Sequence, residues 1–198
     1  VMMIIIFQTL LMVIGMVTGE EYSSKGIRAY TPFGYGWGVA IRIVAGKTSV
    51  YCTLYAIFAF FLLGLLPHFF SIPNIGNGLY IVLLLIPYLM ATSFLGLAAS
   101  RYFTDSEAPL LMIAFFSVGL IFLSGVSYPM ELMPWYWKVA HYIFPAAPGT
   151  LAFVKLNSMG ASMADIRPEY ITLWIQALIY FTISIWVYKK KLESNLIS

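Results

Sequence analysis

Five uninterrupted apolar runs, residues 1–18, 48–66, 79–100, 108–126 and 170–188, constrain this chain more than anything else in it. Each is long enough to cross about 30 Å of hydrocarbon as a helix, which takes roughly 20 residues. A barrel strand needs only about ten residues of alternating character, whereas these runs are continuous, so the backbone groups must be satisfied within each segment. The expected fold class is therefore all-α, a polytopic helical membrane protein. Composition agrees: 61% of the 198 residues are hydrophobic and 10% charged, against about 45–50% and 25% in soluble domains. No shift in composition divides the chain, so residues 1–198 read as one transmembrane domain. The single cysteine, Cys52, lies inside a run and rules out an intrachain disulfide.

Orientation follows from the connections, because lysine and arginine are retained on the cytoplasmic side. Lys25, Arg28, Arg42 and Lys47 follow the first run, Arg101 the third, and Lys189, Lys190 and Lys191 the fifth. Lys138, Lys155 and Arg167 fall on the other side. The C-terminus is thus expected in the cytoplasm and the first run is expected to enter from outside. That direction calls for an earlier helix upstream, giving six spans with both ends cytoplasmic.

The connections differ in kind. Residues 67–78, PHFFSIPNIGNG, read as a short external turn. In the cytoplasmic turn RYFTDSE, Thr104 and Glu107 have the spacing of a capping box, and Asp105 and Glu107 suit a helix start rather than proton transfer. The external connection, residues 127–169, is broken by Pro129, Pro134, Pro145 and Pro148, yet carries Trp135, Tyr136, Trp137, Tyr142 and Phe144. Amphipathic aromatics settle at the membrane interface. Two short helices, roughly 132–144 and 148–158, are expected there, dipping into or lying on the outer leaflet.

The stretch FGYGWGVAIRIVAGKTS, residues 33–49, superficially offers a phosphate loop. A Walker A motif ending in Gly46-Lys47-Thr48 requires glycine at 41, where Ile41 stands. A dinucleotide fingerprint starting at Gly34 and Gly36 requires glycine at 39, where Val39 stands, and no buried strand precedes either pattern. Trp37, Ala40, Ile41 and Val44 instead recur at helical spacing, with Gly38, Arg42 and Gly46 on another side. The expected element is an interfacial helix, Trp37 to Lys47, whose flat glycine strip admits another protein's backbone and whose Lys47 marks the lipid boundary.

Other chemistry fares no better. Ser124, Ser127 and His141 lie near the expected outer face, but a Ser-His dyad needs its members within hydrogen-bond reach, and no G-x-S-x-G elbow surrounds Ser124. His68 sits in a short turn, and there is no H-E-x-x-H pair or Cys/His cluster for zinc. The runs hold Gln8 and Gln176 but no clear buried carboxylate, which argues against ion-coupled transport.

Four stretches together resemble the membrane subunit of ABC-2 type transporters. TGEEYSSKG carries Glu20, Glu21 and Gly26 where that family places acidic residues and glycine at the cytoplasmic end of a helix, with Ile27 where threonine is usual. AIRIVAGKTSVY is similar to the family's Gly-Lys entry into its next helix, through Gly46 and Lys47. FLSGVSYPMELMPWYWKVAHYIFPAAPGTLAFVKLNSMGAS is the most specific, with Ser124, Gly125, Tyr128, Pro129, Glu131, Met133 and Pro134 in place. YKKKLES resembles the basic end of the last helix.

The resemblance implies the family's last five helices of six, an upstream helix and often an extracellular domain, and a dimer with a second permease subunit. It implies export driven by a separate cytoplasmic ATPase that holds the ATP and magnesium, with no cofactor or metal in this chain. Glu20, Glu21, Gly26, Gly38, Arg42, Gly46 and Lys47 would couple to that ATPase, while Ser124, Gly125, Pro129, Glu131 and Pro134 would belong to an external re-entrant gate. The implied location is the plasma membrane, the inner membrane of a bacterium. The competing expectation is a membrane enzyme or scaffold without a motor, using the Ser124/His141 neighbourhood or simply the aromatic outer surface.

Overall fold

The computed structural model describes residues 1–23, 36–70, 76–100, 117–125, 128 and 132–194. Every regular element among them is helical: α1 (Met2–Ser23), α2 (Trp37–Phe60), α3 (Gly78–Ala99), α4 (Trp135–Ile143), α5 (Ala146–Met159) and α6 (Arg167–Ser194). Residues 117–123 form a further helical piece. Four helices are long and apolar enough to cross a membrane: Met2–Glu21, Trp37–Phe69, Gly78–Ala99 and Arg167–Glu193. They coincide with four of the five expected runs. Most of the remaining run, 108–126, lies outside the described residues, as do Thr104, Asp105 and Glu107.

The α2 helix does not stop where a separate interfacial helix was expected to hand over to a span. It passes through Lys47 unbroken and continues as a π-helical turn, Phe61–Leu65, and a last α-helical turn, Leu66–Phe69. Nothing between Trp37 and Phe60 interrupts the hydrogen-bond ladder, since Gly38 lies in the first turn, Gly46 costs only about 1 kcal/mol in a helix interior and there is no proline. The wider turn has a local cause. Pro67 cannot donate to the carbonyl four residues back and its ring crowds it, so the ladder resets ahead of it. Over 33 residues the helix measures roughly 50 Å at 1.5 Å per residue, well beyond about 30 Å of hydrocarbon. Its first turns nevertheless stay packed, with Ala40 and Val44 buried and Lys189 of α6 over the Trp37 ring. Its buried face is Ala40, Val44, Thr48, Tyr51, Tyr55 and Ala59. Trp37 and Ile41, expected on that face, are exposed.

The centre of the bundle is α3, which packs against α1, α2, α5 and α6. Its start is capped by Asn77, whose side chain accepts from the Leu79 N–H at 3.0 Å. Pro87 sits inside α3 and is itself buried, so neighbouring helices cover the interrupted turn. Contacts along α3 fix the direction of its partners. Met3 accepts from the Tyr88 hydroxyl and Ile14 lies against Gly96, so α1 runs parallel to α3. Ser184 donates to the Phe94 carbonyl and Lys191 to that of Ser100, so α6 is parallel as well. The α2 helix is antiparallel, with Cys52 Sγ 3.8 Å from Ser93 Oγ and Gly64 sharing a cavity wall with Gly78. The C-terminal ends of α1, α3 and α6 and the N-terminal half of α2 thus gather at one end of the bundle.

Helices α4 and α5 form a hairpin that enters from the opposite end. The second limb begins earlier than expected, at Ala146 rather than 148, because Pro148 falls in the first turn, where backbone N–H groups have no intrahelical acceptor to lose. It closes at Gly160, whose φ of 64° is left-handed and suits glycine. Gly149 rests on the Tyr88 ring and Gly76 against the backbone of Leu156 and Asn157. The hairpin apex therefore sits beside the middle of α3, about ten residues or roughly 15 Å from its start, and α5 climbs back to that start.

Candidate functional site

Two polar constellations stand out in an otherwise apolar molecule. The first closes the end where α1, α2, α3 and α6 converge. Glu21, in the last turns of α1, takes an ion pair from Lys47 of α2. Lys47 Nζ also lies 3.4 Å from the Tyr188 hydroxyl and 5.2 Å from the centre of that ring. Lys191, one turn further along α6, lies 5.4 Å from the same ring and donates to both the carbonyl and the hydroxyl oxygen of Ser100, at 3.2 Å each. Two ammonium groups thus lie within about 6 Å of one tyrosine ring, each attracted to its π-face, while Glu21 offsets their mutual repulsion. A third, Lys189, stands 4.3 Å over the ring of Trp37 at the start of α2. The ends of four helices are knotted by groups whose pairing is worth more here than on an open surface.

Beside the knot, a cavity of about 700 Å³ opens between α1 and α2, and Glu21, Arg42, Gly46 and Lys47 all line it. Four of the seven residues expected to couple to an ATPase are therefore neighbours. Gly38 lies one turn before Arg42 on the same exposed strip, Glu20 is exposed at the end of α1, and Gly26 lies outside the described residues. The strip is open, since a Cβ added at Gly38 or Gly46 would meet no atom within 4 Å. Lys47 behaves differently from the expectation of a lipid-boundary marker: it turns inward, its side chain only 13% exposed, and ties helices together.

The second constellation holds the hairpin. Gln176 donates to the Tyr142 carbonyl at 2.7 Å and Tyr180 donates to that of Ile143, so α6 grips the last turn of α4. Lys155 of α5 pairs with Glu169 of α6 at 2.6 Å. His141 Nδ1 lies 2.7 Å from the Leu123 carbonyl, joining α4 to the 117–123 helix. Ser124 donates to the Ile121 carbonyl at 2.6 Å, so the described hydrogen bonds of Ser124 and His141 go to backbone and not to each other. Ser127, Pro129 and Glu131 lie outside the described residues. Gly125 takes a φ of 77°, and Pro134 is the residue before α4.

Just ahead of the expected run 170–188, in the first turn of α6, Glu169 is a buried carboxylate. Lys155 supplies the counter-charge that burial demands, and only the folding back of α5 brings it there. Pro168-Glu169 at a helix start is the one signal of it in the sequence. Tyr188 and Tyr180 carry no such signal, being ordinary residues of an apolar run, and Gln176 and Lys191 stand out in the sequence only as a polar group in a run and a basic helix end, without their partners.

No group of three or more His, Cys, Asp or Glu residues suited to a metal occurs among the described residues. No curated protein and no solved structure matches the chain. A family model described as ABC-2 family transporter protein matches residues 1–186. With four apolar helices long enough to span and a family match over nearly its whole length, the chain is an integral membrane component of transport and belongs to the ABC-2 transporter family.

Proposed function

We propose that this chain is the permease subunit of an ATP-driven exporter, forming the substrate pathway with a second permease subunit and taking its energy from a separate cytoplasmic ATPase. The observation that carries the reading is the convergence of the ends of α1, α3 and α6 with the N-terminal half of α2 on the Glu21–Lys47–Tyr188–Lys191 knot. A push on the exposed Gly38–Arg42–Gly46 strip moves α2, and the knot passes that motion to α1, α3 and α6 as rigid bodies. Arg42, Lys47, Lys189, Lys190 and Lys191 lie at this end and Lys155 and Arg167 at the other, so the positive-inside rule supports a cytoplasmic knot and C-terminus. On that orientation the hairpin of α4 and α5 re-enters from outside and closes the exit, held by Gln176, Tyr180 and Lys155. ATP and magnesium belong to the partner. Amphipathic substrates suit the apolar, weakly charged spans.

The test is co-expression with the cognate ATPase, followed by parallel assays of ATP hydrolysis and transport in proteoliposomes. Arg42→Ala and Gly46→Leu should leave a folded complex that hydrolyses ATP with transport reduced at least tenfold. Normal transport by both variants would overturn the coupling assignment. Transport or catalysis by the chain alone, without an ATPase, would favour a motor-independent membrane protein instead. For that alternative the pairing of Ser124 and His141 with separate carbonyls provides no dyad.

A further inference from the structure

The cavity between α1 and α2 has an unusual balance of charge and surface. Its walls are mainly apolar, from Val17, Val39, Ile43 and Val50, and its charged lining consists of Glu21, Arg42 and Lys47. Glu21 and Lys47 neutralise each other. Arg42 makes no hydrogen bond or ion pair with any described residue, so one guanidinium is left over at the mouth of an apolar chamber. The chamber lies at the end of the bundle that also carries Lys189, Lys190 and Lys191.

We propose that this cavity is a binding site for an anionic phospholipid, with the phosphodiester on Arg42 and an acyl chain along the Val17 and Val50 walls. Charge complementarity selects the headgroup: a planar guanidinium with several N–H donors matches a phosphate in two-point contact. Basic pockets between membrane helices at the cytoplasmic side are suited to anionic headgroups. The apolar walls select a lipid over a free phosphate, because a small anion would leave some 700 Å³ of mostly apolar chamber unfilled. Gly46, one turn after Arg42 on the same side of α2, faces open space, with no atom within 4 Å of an added Cβ, so a large side chain there would occupy the chamber. The site goes beyond the coupling role proposed for this face and does not rest on it.

The experiment needs no ATPase. The full-length permease is purified in detergent, and retention of phosphatidylglycerol against phosphatidylcholine of the same acyl chains is measured by native mass spectrometry. The wild type should retain the anionic lipid roughly fivefold better, as one basic side chain at an anionic headgroup provides. Arg42→Gln should bring the ratio close to one, while Lys190→Gln, at the same end but outside the cavity, keeps it. Gly46→Phe should fill the chamber and lower retention of both lipids with helicity unchanged. Equal retention by the wild type, or equal loss in Arg42→Gln and Lys190→Gln, would overturn the site. Displacement of the lipid by glycerol phosphate at matching concentration would overturn the acyl-chain part. Because transport is not measured, these outcomes are separate from failure of the coupling assay.

Discussion

Replacing Gly149 with alanine tests where the hairpin sits. The new Cβ would overlap Cδ2 and Cε2 of the Tyr88 ring, inside the 3.0 Å that real Cβ atoms essentially never breach. The ring has nowhere to retreat: Tyr88 is fully buried and its hydroxyl donates to the Met3 carbonyl at 2.5 Å. Overpacking of this kind costs about 1–3 kcal/mol, and drawing the hydroxyl off its acceptor adds about 1 kcal/mol. The sum, about 2–4 kcal/mol, corresponds for a chain of this size to a fall in Tm on the order of 10 °C. Thermal unfolding in one detergent, followed by far-UV circular dichroism at a fixed scan rate, measures it. Truncating the ring in a Tyr88→Val background should remove most of the penalty, giving a coupling of at least about 1 kcal/mol. A Gly149→Ala protein that melts within about 2 °C of wild type, or one whose loss is unchanged beside Val at 88, refutes the contact between the hairpin apex and the middle of α3.

Three other contacts carry expectations of their own. Gly76→Ala places a Cβ 2.6 Å from the Leu156 carbonyl oxygen and 3.0 Å from Asn157 Cα; backbone cannot rotate away, so a loss of about 1–3 kcal/mol should appear in the same melts. Lys155→Met leaves Glu169 buried without its partner; with the Lys155 side chain 31% exposed, the loss is discounted to about 2 kcal/mol, and adding Glu169→Gln should restore most of it. Asp165 accepts from the Ser162 N–H and hydroxyl, both at 2.8 Å, and these bonds hold its carboxyl below the usual carboxylate range. Because the folded-state value is depressed, the support it gives the α5–α6 turn is complete above the unfolded value of about 3.9 and is lost as pH falls through the folded one. Protection of the Ser162 amide against hydrogen exchange should therefore drop below about pH 4 in the wild type and become independent of pH there in Asp165→Asn.

Much of the candidate site is legible in the sequence, though as pieces. Arg42 and Gly46 fall on one helical strip by spacing alone. The role of Lys47 is not legible there. An ammonium near the end of an apolar run reads as an anchor in the headgroups, and only the approach of Glu21 from α1 and Tyr188 from α6 turns it inward. The hairpin limbs are readable from Pro134, Pro145 and the aromatic residues between them. Their depth is not, because it depends on Gly149 meeting Tyr88 across 61 positions of sequence.

What the sequence determined by itself is the class of fold and the rough list of spans. Long apolar runs can satisfy their backbone only as helices in lipid, and that condition is local to each run. Family membership was equally local, carried by short motifs such as SYPMELMP. The tertiary structure decided which polar groups are partners. Glu169 with Lys155, Gln176 with the Tyr142 carbonyl and Lys191 with Ser100 are pairings between helices, and in runs that are apolar all round no periodicity says which side faces which neighbour. It also decided that α2 is one helix, because the end of a membrane helix is set by what surrounds it and not by the position of a lysine.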